Sequence, residues 1–102
     1  MSTYRAVDAA VKVLSLIPVL AGNEMTGLTP GQLSKALDIS PAQIGHYLVT
    51  LQAAGFAEPL DDTGRWRLGP KLIQIGLAFS LHIDKQRSRV EEMHSRYTRL
   101  PS

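Results

Sequence analysis

Two helix starts stand eleven residues apart in this chain, and that spacing restricts its fold more than any other feature. The stretch TPGQLSKALDISPAQIGHYL opens on Thr29-Pro30-Gly31-Gln32 and repeats the pattern at Ser40-Pro41-Ala42-Gln43. Ser or Thr followed three residues later by Gln is a capping box, each side chain meeting an orphan backbone N–H at a helix start. Pro suits the first helical position. Leu33, Ala36 and Leu37 then recur at three- and four-residue steps, as do Ile44, Leu48 and Leu51 after Pro41. Asp38, Ile39 and Ser40 stand between the two amphipathic helices, so the first is about two turns long and the second leaves at a steep angle. This is a helix-turn-helix pattern. On these residues alone a DNA-binding element and two ordinary helices of a small bundle are equal alternatives, and the flanking sequence decides between them.

Upstream, a helix starting after Ser2 or Thr3 runs through YRAVDAAVKVLSLI with Ala6, Ala10, Val13, Leu14 and Ile17 facing inward, until Pro18 kinks or ends it. AGNEMTGL is a loop. Downstream, Gly55 stops the second paired helix as a left-handed residue would. Phe56 to Leu60 and Arg65 to Leu68 flank Asp61-Asp62-Thr63-Gly64, which reads as a β-hairpin with Pro59 on an edge strand. After the Gly69-Pro70 break, helical periodicity continues nearly to the end. The fold class is mainly α with a small β-hairpin: a winged helix-turn-helix over residues 1–70, then a long carboxy-terminal linker and dimerisation helix over 71–102.

The composition fits one soluble domain, with 102 residues, 44% hydrophobic and 20% charged. The absence of cysteine excludes disulfide frameworks and thiolate metal sites. The run AAVKVLSLIPVLAG carries Lys12 and Pro18 and is too short to span a bilayer, so no membrane partner is expected. The net charge is only +2, but residues 41–60 contain no Lys or Arg, and the positive excess lies in Arg65, Arg67 and Lys71 and then in Lys85, Arg87, Arg89, Arg96 and Arg99. A nucleic-acid binder shows its basic footprint on one element or face. Here that footprint follows the second paired helix.

With these elements in order, GFAEPLDDTGRWRLGPKLIQIG resembles the wing and linker of the IclR-type bacterial transcriptional regulators, which typically read G-F-V-E-x-x-x-x-T-G-x-Y-x-L-G before a Leu-rich linker helix. The resemblance covers nearly residues 5 to 80 and is most specific at Thr50-Leu51, Gly55-Phe56 and Thr63-Gly64-Arg65-Trp66-Arg67-Leu68-Gly69. It implies sequence-specific binding of double-stranded DNA, transcriptional regulation and a cytoplasmic, nucleoid-associated location. Two departures stand out. Regulators of this type carry a large effector-binding domain after the linker, and residues 1–102 hold no such small-molecule domain, so the chain is expected to be either a free-standing DNA-binding domain or a piece of a longer regulator. In the recognition helix, where the family commonly has a small hydroxyl pair and then a basic residue, this chain reads Ala42-Gln43 and His46.

A recognition helix lies in the major groove, and residues pointing away from its core face reach base edges. That geometry assigns base reading to Ala42, Gln43, Gly45, His46 and Thr50. Gln43 either bonds adenine bidentately or is taken up by the Ser40 cap. Tyr47 matches a family Leu and is expected to pack in the core. Phosphate contacts fall to Arg65 and Arg67, which alternate on one strand and share a face with Trp66 turned inward, to Lys71, and to the helix starts at Thr29 and Ser40. Asp61 and Asp62 keep the hairpin tip off the duplex. Catalysis finds no support, since there is no phosphate-cradling glycine loop, nucleophile elbow or metal-spaced cluster; neither cofactor nor metal is expected. A winged helix serving only as a protein-interaction module is the alternative. Along the last helix, Ile83, Val90, Met93, Tyr97 and Leu100 follow a 3-4 repeat, which points to a homodimer.

Overall fold

The computed structural model describes residues 3–98. Its elements run α1 (Asp8–Leu20), α2 (Pro30–Leu37), α3 (Pro41–Ala53), β1 (Ala57–Leu60), a 3-10 turn (Asp61–Thr63), β2 (Arg65–Leu68) and α4 (Pro70–Thr98). This is the winged helix-turn-helix order with a long last helix. The chain divides into two units, Met1–Leu72 and Ile73–Ser102.

In the first unit, Leu16 and Leu20 of α1, Leu33 of α2, Ile39 of the turn, Ile44, Leu48 and Leu51 of α3 and Ala57 of β1 form the buried core. Phe56, Trp66, Leu68, Leu28 and Tyr47 are half-buried against it. Each large core side chain contributes about 1.5–3 kcal/mol of burial free energy.

The first helix differs from expectation at its start and in its phase. It begins at Asp8, later than a start after Ser2 or Thr3, and has no side-chain cap. Asp8 instead meets the positive helix end and pairs with Lys12 one turn on, 3.3 Å apart. Ala6 precedes the helix, and Ala10 and Leu14 are exposed. Val13 and Ile17 are half-buried against the core, whose α1 members are Leu16 and Leu20. Val11, Val13, Leu14, Leu16, Ile17, Val19 and Leu20 surround the helix with apolar groups, so periodicity alone does not choose its phase. The helix carries Pro18 inside its last turn and ends two residues later.

Both helix starts are capped by the expected hydroxyl, but only the first is a reciprocal box, because the Gln43 side chain bonds the Ser40 hydroxyl and not its backbone N–H. Thr29 Oγ1 accepts from Gln32 N at 3.1 Å and Gln32 Oε1 accepts from Thr29 N at 2.9 Å. Between the helices Asp38 takes the left-handed conformation, φ 54° and ψ 47°. Ser34 holds this turn at both ends of Ile39: its carbonyl accepts from Ile39 N at 3.2 Å and its hydroxyl donates to Ile39 O at 2.5 Å. Ile39 is thereby placed in the core between α2 and α3.

The hairpin pairs Ala57 with Leu68, Glu58 with Arg67, Pro59 with Trp66 and Leu60 with Arg65. Leu28 adds a third short rung on the far side of β2, with Leu28 N to Trp66 O at 2.8 Å and Trp66 N to Leu28 O at 2.7 Å. Consequently β2 is central and Pro59 lies on the edge strand, where its missing N–H costs no ladder bond. The hairpin is rooted on α3 by two glycines. Gly55 takes φ +84° after the helix, and a Cβ on Gly69 would run into the Gly55 carbonyl oxygen and stand 3.1 Å from Ala57 N.

In the second unit α4 continues to Thr98, and every side chain from Ile73 to Thr98 is exposed. Leu100 lies outside the described residues.

Candidate nucleic-acid interface

The core residues Ile44, Leu48 and Leu51 fix which way α3 faces. At about 100° per residue, the line opposite them carries Ala42, His46, Val49 and Ala53, with Gln43 and Thr50 on one flank and Gly45 and Gln52 on the other. All eight are exposed. Tyr47 sits half-buried at the core margin, as expected. Val49 is 59% exposed at the centre of this face, and a reading that looks for polar base readers misses it. The signal is present in the phase that turns Leu48 inward, since that phase turns Val49 outward.

The polar groups of this face differ in freedom. Ser40 Oγ accepts from Gln43 N at 3.3 Å and donates to Gln43 Oε1 at 3.2 Å. The Gln43 oxygen is therefore held in the cap while its amide donors are free. Of the two alternatives for Gln43, the bond to the Ser40 hydroxyl takes up the amide oxygen, while the amide N–H donors stay available to a partner such as a purine N7. Thr50 donates its hydroxyl back to His46 O at 2.8 Å, leaving only its acceptor lone pairs for a ligand. The imidazole of His46 has no protein partner among the described residues.

On the wing, Arg65 and Arg67 do share a face, and both are partly engaged. Arg67 Nε donates to Glu58 Oε1 at 2.7 Å across the strand pair, and its Nη1 reaches Glu24 O at 3.5 Å. Arg65 Nη1 donates to Gly27 O at 3.3 Å. The loop after α1 thus receives both guanidiniums. Gly27 lies deep under the hairpin at φ +71°, where a Cβ would stand 2.9 Å from Trp66 O. A guanidinium has five N–H donors, so each arginine retains donors that the protein leaves unused. Asp61 and Asp62 are exposed at the tip.

The remaining predicted phosphate binders have structural duties. Thr29 uses its hydroxyl and N–H in the α2 cap. Ser40 caps α3. Lys71 Nζ lies 3.4 Å from Ala54 O at the end of α3 and 5.9 Å above the Phe56 ring, favourable for a cation at a helix carboxy-terminus and over an aromatic face. Two exposed cations of the first unit, Arg5 and Lys35, have no protein partner among the described residues. Sequence reasoning misses both, because their isolation along the chain gives no hint that they are unpaired in space.

On α4 the proposed dimer residues Ile83, Val90, Met93 and Tyr97 lie along one exposed stripe, with Val90 at 65% and Tyr97 at 80% exposure. From Leu72 to Ile83 the helix has no Lys, Arg, Asp or Glu, whereas Arg87, Arg89 and Arg96 accompany the stripe beyond it. Among the described residues no helix is long and apolar enough to cross a membrane, and no group of three His, Asp or Glu is placed to hold a metal ion.

Comparison with known proteins agrees with this architecture. No protein-family model matches the chain. Over 75 residues it is 39% identical to the HTH-type transcriptional regulator BhcR of Paracoccus denitrificans, an alignment covering 74% of this chain and 25% of that protein. The crystal structure of Pseudomonas aeruginosa HmgR is similar with a TM-score of 0.61 and 26% identity, covering 71% of this chain and 29% of that one. Lactococcus lactis ZitR, solved as a point mutant, matches with a TM-score of 0.50 and 21% identity over 96% of this chain and 66% of its own, a likeness of fold alone. The chain spans about a quarter of the curated relative it matches.

Proposed function

We propose that this chain is the DNA-binding part of an IclR-type transcriptional regulator, binding specific double-stranded sequences as a homodimer. The observation that carries this reading is the outward face of α3. It is an exposed helix surface in helix-turn-helix geometry, bearing hydrogen-bonding groups at Gln43, His46 and Gln52 that the fold leaves partly or wholly unpaired among the described residues. The 39% identity to a named transcriptional regulator over most of the chain supports it.

In this reading α3 enters the major groove and reads bases with Gln43, His46 and the small residues Ala42 and Gly45, while Thr50 offers an acceptor. Arg65 and Arg67 contact phosphates with the donors that Glu58, Glu24 and Gly27 leave unused, and Lys35 and Arg5 add unencumbered charge. Dimerisation uses the exposed α4 stripe of Ile83, Val90, Met93 and Tyr97, with the segment from Leu72 to Ile83, free of Lys and Arg, continuing it toward the start of the helix.

Selection from random duplexes with the full chain tests the function. The expected result is recovery of inverted repeats whose half-site centres lie about one helical turn apart, roughly 34 Å, or a multiple of it. Failure to enrich any sequence, together with retention of protein partners, would favour an interaction module instead.

A further inference from the structure

The side of α3 that faces away from the core is unusual in what it lacks. It holds no Lys or Arg, and one line along it consists of Ala42, Gly45 and Val49, spaced i, i+3 and i+7 so that each neighbours the next. Both Gly45 and Val49 are poor choices for an exposed helix position, since glycine loses backbone entropy and a β-branched side chain loses rotamer freedom. Neither is required by the fold. Nothing lies within 4 Å of a Cβ built on Gly45, and Val49 is exposed. Together they make a shape: a recess of bare backbone at Gly45, bounded about 4.5 Å toward the helix start by the Ala42 methyl and about 6 Å toward its end by the Val49 methyls, at 1.5 Å rise per residue.

The DNA-binding reading, on which this inference rests, puts that line against the major-groove base edges. One apolar group is displayed there, the C5-methyl of thymine, and small apolar side chains are what read it. A methyl seated over Gly45 would touch carbon on both sides at ordinary van der Waals separation, about 4 Å. We propose that α3 reads one thymine per half-site through its C5-methyl, with Ala42 and Val49 as walls and Gly45 as the floor of the seat. Gln43 and His46, on the neighbouring line, then bond polar edges of adjacent bases.

The test uses the full chain and the duplex recovered by selection, with thymines replaced singly by deoxyuridine. This replacement retains every hydrogen-bonding group and removes only the methyl. At one position per half-site, affinity measured by fluorescence anisotropy should fall about fourfold, the equivalent of about 0.8 kcal/mol for one buried carbon, and the other thymines should be neutral. Gly45→Ala fills the seat without a clash inside the protein. It should raise the melting temperature, weaken the selected duplex, leave random duplex unchanged and abolish the deoxyuridine penalty. In Val49→Ala the penalty should shrink. Tight binding of the selected duplex with no sensitive thymine would overturn methyl reading and leave DNA binding standing. An absence of any enriched duplex would overturn both. A penalty that persists undiminished in Gly45→Ala and Val49→Ala would overturn the seat on α3 and move the methyl contact to another part of the chain.

Discussion

The recognition helix and the wing divide the candidate interface in opposite ways. The wing carries the charge, yet each of its arginines is tied into the fold: Arg67 to Glu58 and Glu24, Arg65 to Gly27. The outward face of α3 carries no Lys, Arg, Asp or Glu, yet most of its groups are free. Charge counted along a sequence is therefore a poor measure of charge offered to a ligand. The internal bonds of the wing hold two guanidiniums in place, so that under the proposed function their unused donors would meet a phosphate without first being ordered. Under the same proposal the α3 face would have the complementary property, since side-chain amide donors contribute little to indiscriminate binding and much to discrimination between bases.

The largest effect is expected where the two regions are joined. Gly69→Ala drives a methyl into the Gly55 carbonyl at the end of α3, and backbone on both sides leaves no flexible group to yield. Overpacking of this kind costs about 1–3 kcal/mol or more, and thermal unfolding should show a melting temperature lower by about 10 °C. If Gly69→Ala melted like the parent, the wing would be hinged on α3 and not rooted to it.

Next come the proposed base readers. Gln43→Ala and His46→Ala should each cost about 1–3 kcal/mol on the selected duplex and almost nothing on random duplex, measured by parallel titrations. Equal losses on both would mean that α3 only contacts the backbone.

The comparison sharpens further at Arg67. Its ion pair with Glu58 is about two-fifths exposed on each side, and such pairs contribute about 0.2–1 kcal/mol. Arg67→Ala should thus lower stability slightly and DNA affinity more. Glu58→Gln should lower stability by a similar amount and strengthen DNA binding, because it removes a carboxylate beside the donors proposed to meet phosphate. A Glu58→Gln variant that binds less tightly would make the clamp itself the essential part. Lys35→Ala has the smallest expected effect: an unchanged melting temperature and a uniform, salt-sensitive loss of affinity for all sequences.

What the sequence displays and what it conceals follow the same line. The paired helices are legible because their caps are local, each formed within four residues. The hairpin is legible because Gly55 and Gly64 take left-handed conformations that other residues resist, while Gly69 stands where the Gly55 carbonyl leaves no room for a Cβ. The phase of α1 is not, since an all-round apolar helix offers several inward faces and only packing selects Leu16 and Leu20. The third rung at Leu28 is hidden for a related reason: a single residue makes no periodic pattern. The engagement of Arg65 and Arg67 depends on carbonyls some forty residues away, at Gly27 and Glu24, and no local spacing announces it. Val49 is easily passed over because it is apolar, although its position is implied by its neighbours.

Salt dependence tests the division of labour most directly. Each phosphate contact contributes about 0.9 to the slope of log affinity against log salt. The Arg65→Ala/Arg67→Ala double variant should flatten that slope by about 1.8 on selected and random duplex alike, while Gln43→Ala/His46→Ala leaves both slopes nearly unchanged and loses affinity for the selected duplex alone. A wing variant that changes sequence preference while the α3 variant is silent would contradict the account, and would make the wing the reading element.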